Sequence, residues 1–282
     1  MKYYLEKIIE KIIMLIAFSA ISILIIITFF IFKEGCPFLF KNGILNFILS
    51  PAWDPSTKEF GIFTMILGSL WVTVGALIFG VPLGISCAIY LAEFADKTIR
   101  GVLKPMIELL AGIPSVVYGF IGVMILAPII RTYLGGPGFS ILAAAIILGI
   151  MILPTVISIS MDSIMALPRT YKEGSIALGA TRWQTVKMVL LPAARSGILA
   201  GVILGMGRAI GETMAVIMIT GNAIKIPFTP LDSVRTMTSN IALEMGYAIG
   251  DHRAALFATA VMLFVFIMIL NTMVIFVVKR KN

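Results

Sequence analysis

In this chain of 282 residues, 60% are hydrophobic, 13% are charged, and mean hydropathy is +1.06. That composition excludes an ordinary water-soluble domain, which could not hide so much apolar surface from water. Lipid must be part of its solvent, so the formal charge of +8 reads as a one-sided excess of loop Lys and Arg, not as a nucleic-acid footprint. Two cysteines, Cys36 and Cys87, exclude a disulfide framework or a metal cluster. Cys87 lies in an apolar run and is expected to be a small buried hydrophobe.

A bilayer core takes about 20 apolar residues as a helix, and six stretches qualify. Ile12–Phe32 has 21 residues and no small-residue cleavage site behind it, so it is expected to remain as a span. Phe60–Ala92 is longer than a bilayer requires, so its first residues are expected outside. Leu109–Ile130 is interrupted by Gly112 and Pro114, which free backbone groups that protein or water must satisfy. Ser115 and Tyr118 beside that break could present hydroxyls to a pathway, and an ordinary kink fits equally well. Glu108, just ahead of it, could be an interfacial anchor. Thr132–Met161 follows, then Ser196–Ile224, interrupted only by Arg208 and Glu212, and finally Ala254–Val278. The expected fold class is an all-α polytopic membrane protein with six transmembrane helices. No internal repeat is evident.

Charge sets the orientation. The N-terminal segment, residues 93–108, residues 162–195 and the C-terminal Lys279, Arg280 and Lys281 hold 14 Lys and Arg, against seven in the alternate segments. Both termini and the 162–195 loop are therefore expected on the cytoplasmic side of a multi-pass cell-membrane protein. The opposite loops, 33–59 and 225–253, carry WDP at Trp53–Pro55 and PFTP at Pro227–Pro230. Loops this long tend to be functional or to form short interfacial helices. His252 is expected there as a lone surface histidine.

The 162–195 loop is polar but patterned. Pro168 suits a first helical position, and Gly179 offers a left-handed cap. Thr181 to Gln184 has capping-box spacing, and Pro192 should stop or kink the second helix. Two short helices hinged at Gly179 result, with Ile176, Gly179, Ala180 and Trp183 on one small surface. Such an element could rest on lipid headgroups or dock into a partner's groove. Its place between two spans argues against a DNA-reading helix-turn-helix.

Glu173, Gly179 and Leu191-Pro192 match the E-x-x-x-x-x-G…LP spacing of the signature loop in permease subunits of ATP-driven, binding-protein-dependent importers. Departures at Gly174 and Ser175, where that family usually has alanines, and at Val189, where isoleucine is usual, keep small size and apolarity. WVTVGALIFGVPLGISCAIYLAEFA (71–95), KPMIELLAGIPSVVYGF (104–120) and GRAIGETMAVIMITGN (207–222) resemble the phosphate permeases of the PstC type, of MetI-like fold. The likeness implies a coupling hairpin at 168–192 seated on an ATPase through Glu173, Gly179, Ala180, Thr181, Arg182 and Trp183. It also implies a heterodimer with a PstA-like permease, two ATPase copies and an extracytoplasmic phosphate-binding protein. Residues 1–59 would form an N-terminal segment, first span and outer loop, and 60–282 the permease core. The chain has no G-x-x-x-x-G-K-[ST] phosphate loop, so it is expected to be a non-catalytic subunit without cofactor or metal.

Arg208 and Glu212, at i and i+4, would share a helix face at a depth where ionisable groups mark functional sites. With Ser115 and Tyr118 they are expected to line a path for phosphate, the glutamate tempering the arginine's grip; a structural ion pair is the competing reading. Gly197, Gly201 and Gly205, with Gly207 and Gly211, form a small-residue ridge suited to close helix approach, either between permeases or within the chain. Permeases for sulfate or molybdate share the architecture. A self-contained carrier would need more acidic coupling groups within its spans, and a membrane enzyme would need a clustered nucleophile and base.

Overall fold

The computed structural model describes residues 2–279; Arg280 and Lys281, counted above, lie outside the described residues. In lipid only helices satisfy an isolated segment's backbone, and the apolar runs fold accordingly. Five helices are long and apolar enough to cross a membrane, and six if the pair Arg182–Ala193 and Arg195–Gly211, bent by 71°, counts as one span.

The first helix, Lys2–Asn42, overshoots the expected span at both ends. The second, Phe63–Ile89, continues through a π-turn at Tyr90–Phe94. Lys97–Gly112 then leads to a break at Ile113–Pro114, beyond which the chain runs helical from Ser115 to Tyr133. The central helix, Ile141–Met165, starts later than the expected Thr132, because Gly135, Gly136 and Gly138 take left-handed φ values and form a loop. Ser140 caps the helix by accepting from Ala143 N at 3.3 Å. After the hairpin, Arg195–Gly211 is a helix, but the expected run to Ile224 breaks at Glu212 and resumes as Met214–Ile219. Gly250–Lys279 closes the bundle.

Small residues set the closest contacts. A Cβ on Gly80 would stand 2.8 Å from the Gly149 carbonyl oxygen, so the second and central helices touch backbone to backbone. The Gly197, Gly201 and Gly205 ridge faces the same central helix: a Cβ there would meet Ser163, Ile159 at 3.2 Å and Val156 at 3.0 Å respectively. Gly207 and Gly211 have nothing within 4 Å of an added Cβ and so point away from this contact. Cys87, expected buried, is exposed on the second helix; lipid solvates a thiol there as well as protein would.

The first helix is exposed through most of its length and packs near its C-terminal end against the last helix. Gly35 lets it approach Phe257, and Phe30 meets the Phe257 ring edge-on at 5.6 Å. At this end Ile44–Leu49 and a two-stranded hairpin, β1 (Trp53–Asp54) and β2 (Glu59–Phe60), cover Met237–Glu244.

Candidate functional site

The 168–192 hairpin forms much as local chemistry requires. Pro168 is the cap residue and the helix begins one position later, at Arg169, ending at Ala177. Gly179 takes φ +85. Its N–H donates to Ile176 O at 2.9 Å and that of Ala180 to Ser175 O at 3.2 Å, the paired bonds of a Schellman cap. Thr181 and Gln184 form the reciprocal capping box, at 2.8 and 3.3 Å. Ser175 and Thr185 hydroxyls, 3.0 Å apart, brace the two arms. Pro192 stands in the last turn before the 71° bend into Arg195–Gly211.

What the hairpin presents is apolar. Leu178 is 91% exposed and Met188 72%, with Tyr171, Ile176 and Trp183 also exposed. A concavity of about 600 Å³ is lined by Tyr171, Gly174, Ser175, Leu178, Gly179, Ala180, Gln184, Met188 and Val189. An exposed apolar patch on a polar loop marks an interaction surface. Glu173, Thr181, Arg182 and Trp183 are exposed beside it. Leu178 and Met188 were not singled out from the sequence, although a leucine directly before a left-handed glycine is the kind of residue such a turn projects.

The second region is where two broken helices meet. Ser115–Ile121 and Met214–Ile219 pack side by side: a Cβ on Gly119 would stand 3.0 Å from Ala215 Cα. Tyr118 is buried and donates its hydroxyl to Leu110 O at 2.9 Å, bonding across the Pro114 break. Ser115, half-buried, opens its helix. Arg208 is half-buried on Arg195–Gly211. Glu212 does not share its face. Glu212 is the extended residue ending that helix, and its Oε1 accepts from Thr213 N at 3.1 Å and Ala215 N at 3.3 Å, capping the next one. Four residues of spacing make a pair only if the helix continues. Here it stops.

At the opposite end, a polar cluster corrects the expectation for His252. Glu244, 5% exposed, accepts from Arg235 Nη1 at 2.6 Å and Trp53 Nε1 at 2.8 Å, and His252 Nε2 lies 2.8 Å from it. Phe60 stacks on the imidazole at 6.2 Å. His252 is therefore partnered, and the cluster joins the two long loops 33–59 and 225–253. Among the described residues no group of His, Cys, Asp and Glu is arranged to hold a metal ion.

A helical bundle of membrane-spanning length, with broken spans inside and a hairpin carrying exposed apolar side chains at one end, is the architecture of a transport permease. Residues 80–282 match the family described as "Binding-protein-dependent transport system inner membrane component", and the chain belongs to that family. It is 44% identical to "Probable ABC transporter permease protein YqgH" of Bacillus subtilis, over 82% of this chain and 76% of that one. It is 33% identical to "Probable phosphate transport system permease protein PstC" of Methanocaldococcus jannaschii, over 99% of this chain and 96% of that one. Among solved structures, the inward-facing MetNI methionine ABC transporter superposes with TM-score 0.60 at 17% identity, covering 82% of this chain and 100% of its own. A bacterial ABC transporter importing alginate gives TM-score 0.60 at 18% identity, covering 93% and 94%. At these identities the two structures speak for the fold.

Proposed function

We propose that this chain is a membrane-spanning permease subunit of an ATP-driven, binding-protein-dependent phosphate importer. One observation carries the substrate: the relative named as a phosphate permease aligns over 99% of the chain. The charge bias supports placing both termini and the 168–192 hairpin in the cytoplasm. The exposed Leu178 and Met188 beside Gly179 suit a groove on a separate ATPase, since the chain has no phosphate loop of its own. Two ATPase copies and a second, PstA-like permease complete the assembly in this reading. At the outer end, Phe228, Tyr247 and Ile249, each more than 60% exposed, suit a phosphate-binding protein.

The path runs past the two helix breaks. Arg208 has no carboxylate partner among the described residues, so its guanidinium is available to a tetrahedral oxyanion. Tyr118 and Ser115 stand on Ser115–Ile121, which packs against the Met214–Ile219 segment beyond the same break. Pairing Glu212 with backbone amides instead of Arg208 leaves the arginine's field intact. Alternating exposure of this region to the two sides would follow ATP-driven movement of the hairpin.

Affinity purification of the tagged chain from its native membrane tests the assembly. An ATPase and a second permease are expected to copurify. A chain that isolates alone and transports phosphate without ATP would overturn the reading.

A further inference from the structure

The hairpin is not joined to the rest of the chain only through its two ends. Lys172, on Arg169–Ala177, places its Nζ 2.6 Å from Glu93 Oε2, across 79 residues of sequence. Glu93 belongs to the π-turn Tyr90–Phe94, and its side chain is 14% exposed. An exposed ion pair contributes little, and a pair with one side chain so withdrawn from water holds its geometry better. By contrast, Lys104–Asp162, at 3.3 Å with side chains 39% and 61% exposed, is the kind of pair that contributes almost nothing.

The π-turn is the point where two elements are hooked together. The chain becomes extended at Ala95, so the last carbonyls of the helix lose their amide partners. Arg100, on the next helix, supplies them: its Nε donates to Leu91 O at 2.7 Å and its Nη2 to Ala92 O at 2.9 Å. That helix, Lys97–Gly112, ends at the Pro114 break, and Tyr118 bonds back to its Leu110 carbonyl. Bonds therefore run unbroken from hairpin to π-turn, from π-turn to helix, and from helix to candidate path. π-turns are frequent at functional sites, and this one closes its helix where the chain turns towards Lys97–Gly112.

We infer that Lys172 is a positioning residue that transmits movement of the docking hairpin, through Glu93 and the π-turn, to Lys97–Gly112 and the Pro114 break. This rests on the ATP-driven reading above. Energetic coupling travels through packed elements that switch between discrete arrangements, and Lys172–Glu93 is the tie by which the hairpin grips this one. Replacing it leaves the exposed docking surface unchanged, so the motor still binds but less of its stroke reaches the path.

The test uses the complete complex in proteoliposomes with the binding protein, measuring phosphate imported and ATP hydrolysed together. Lys172→Ala is expected to assemble normally and hydrolyse ATP, yet to lower the phosphate moved per ATP by roughly tenfold. Lys172→Arg should retain coupling, and the reversed pair Lys172→Glu with Glu93→Lys should recover most of what either single reversal loses. The inference is overturned if Lys172→Ala keeps the wild-type ratio, if it loses the ATPase on purification, or if the reversed pair does no better than the singles. ATP-independent uptake by the wild-type complex would remove the motor itself, and this inference with it. A coupled wild type with an indifferent Lys172→Ala would remove this inference alone.

Discussion

Arg208 and Glu212 stand four residues apart and do not pair, because Gly211 ends the helix and Glu212 turns to cap the next one through Thr213 N and Ala215 N. The two charges therefore have separate duties, and their variants should behave differently. Arg208→Ala is expected to reduce phosphate uptake by at least about tenfold, the loss of one charge-assisted contact. Glu212→Gln keeps an oxygen acceptor for the two amides and should stay within a few-fold of wild type, whereas Glu212→Ala should also lower thermal stability. Equal losses from Arg208→Ala and Glu212→Gln would restore the ion-pair reading.

Glu244 holds Arg235, Trp53 and His252 at once, with its side chain 7% exposed. Removing it by Glu244→Ala leaves the Arg235 guanidinium, 17% exposed, with its bonds to Asn240 Oδ1 and Asn222 O but without its carboxylate, at a cost of about 3 kcal/mol. Trp53→Phe keeps most of the packing and leaves one acceptor bond unmade, costing about 1–3 kcal/mol. Unfolding of the purified protein should rank the two in that order. Hydrogen exchange should show loops 33–59 and 225–253 loosening together in Glu244→Ala.

The glycines of Arg195–Gly211 divide by direction. Gly201→Leu would drive a side chain into Ile159 of the central helix and is expected to prevent stable folding. Gly207→Ala and Gly211→Ala have open space before them and should be neutral or gain up to about 1 kcal/mol. Thermal denaturation of the three variants distinguishes the faces; a tolerant Gly201 would contradict the close approach.

Asp232 fixes the 225–236 loop. Lys225 Nζ donates to it at 2.9 Å, and the Thr229 and Phe228 amides at 2.8 and 2.9 Å. The Lys225 hydrogen bond first, then the two amides, hold its carboxyl well below the usual carboxylate range. A depressed folded-state pKa contributes stability that is complete above the unfolded value of about 3.9 and is lost only as pH falls through the folded one. Asp232→Asn should therefore speed proteolysis of the loop by the same factor from about pH 5 to 8, with the difference closing only below about pH 4.

The parts of this molecule that were legible in advance are those governed by neighbours in sequence. Gly179, Thr181 and Gln184 cap the hairpin as their spacing dictates, and the apolar runs became helices close to where they were expected. Misreadings arose where backbone geometry or distant contacts decide. Apolar content could not reveal that Gly135, Gly136 and Gly138 make a loop, nor that the helix stops before Glu212. Composition could not aim the Gly197–Gly205 ridge, because both candidate neighbours were equally apolar. Lys172–Glu93 and Trp53–Glu244 join residues 79 and 191 positions apart, and no local pattern announces such pairs. His252 read as solitary for the same reason.

The central claim is that this chain carries phosphate across the membrane at the expense of ATP hydrolysed by a partner. The most direct measurement is uptake of radiolabelled phosphate into proteoliposomes holding the complete complex, with ATP supplied on the hairpin side and sulfate and molybdate as competitors. The account predicts uptake that requires both ATP and the binding protein, falls with Arg208→Ala, and is indifferent to the competing anions. Phosphate entry without ATP, or accumulation of sulfate or molybdate in preference to phosphate, would contradict it.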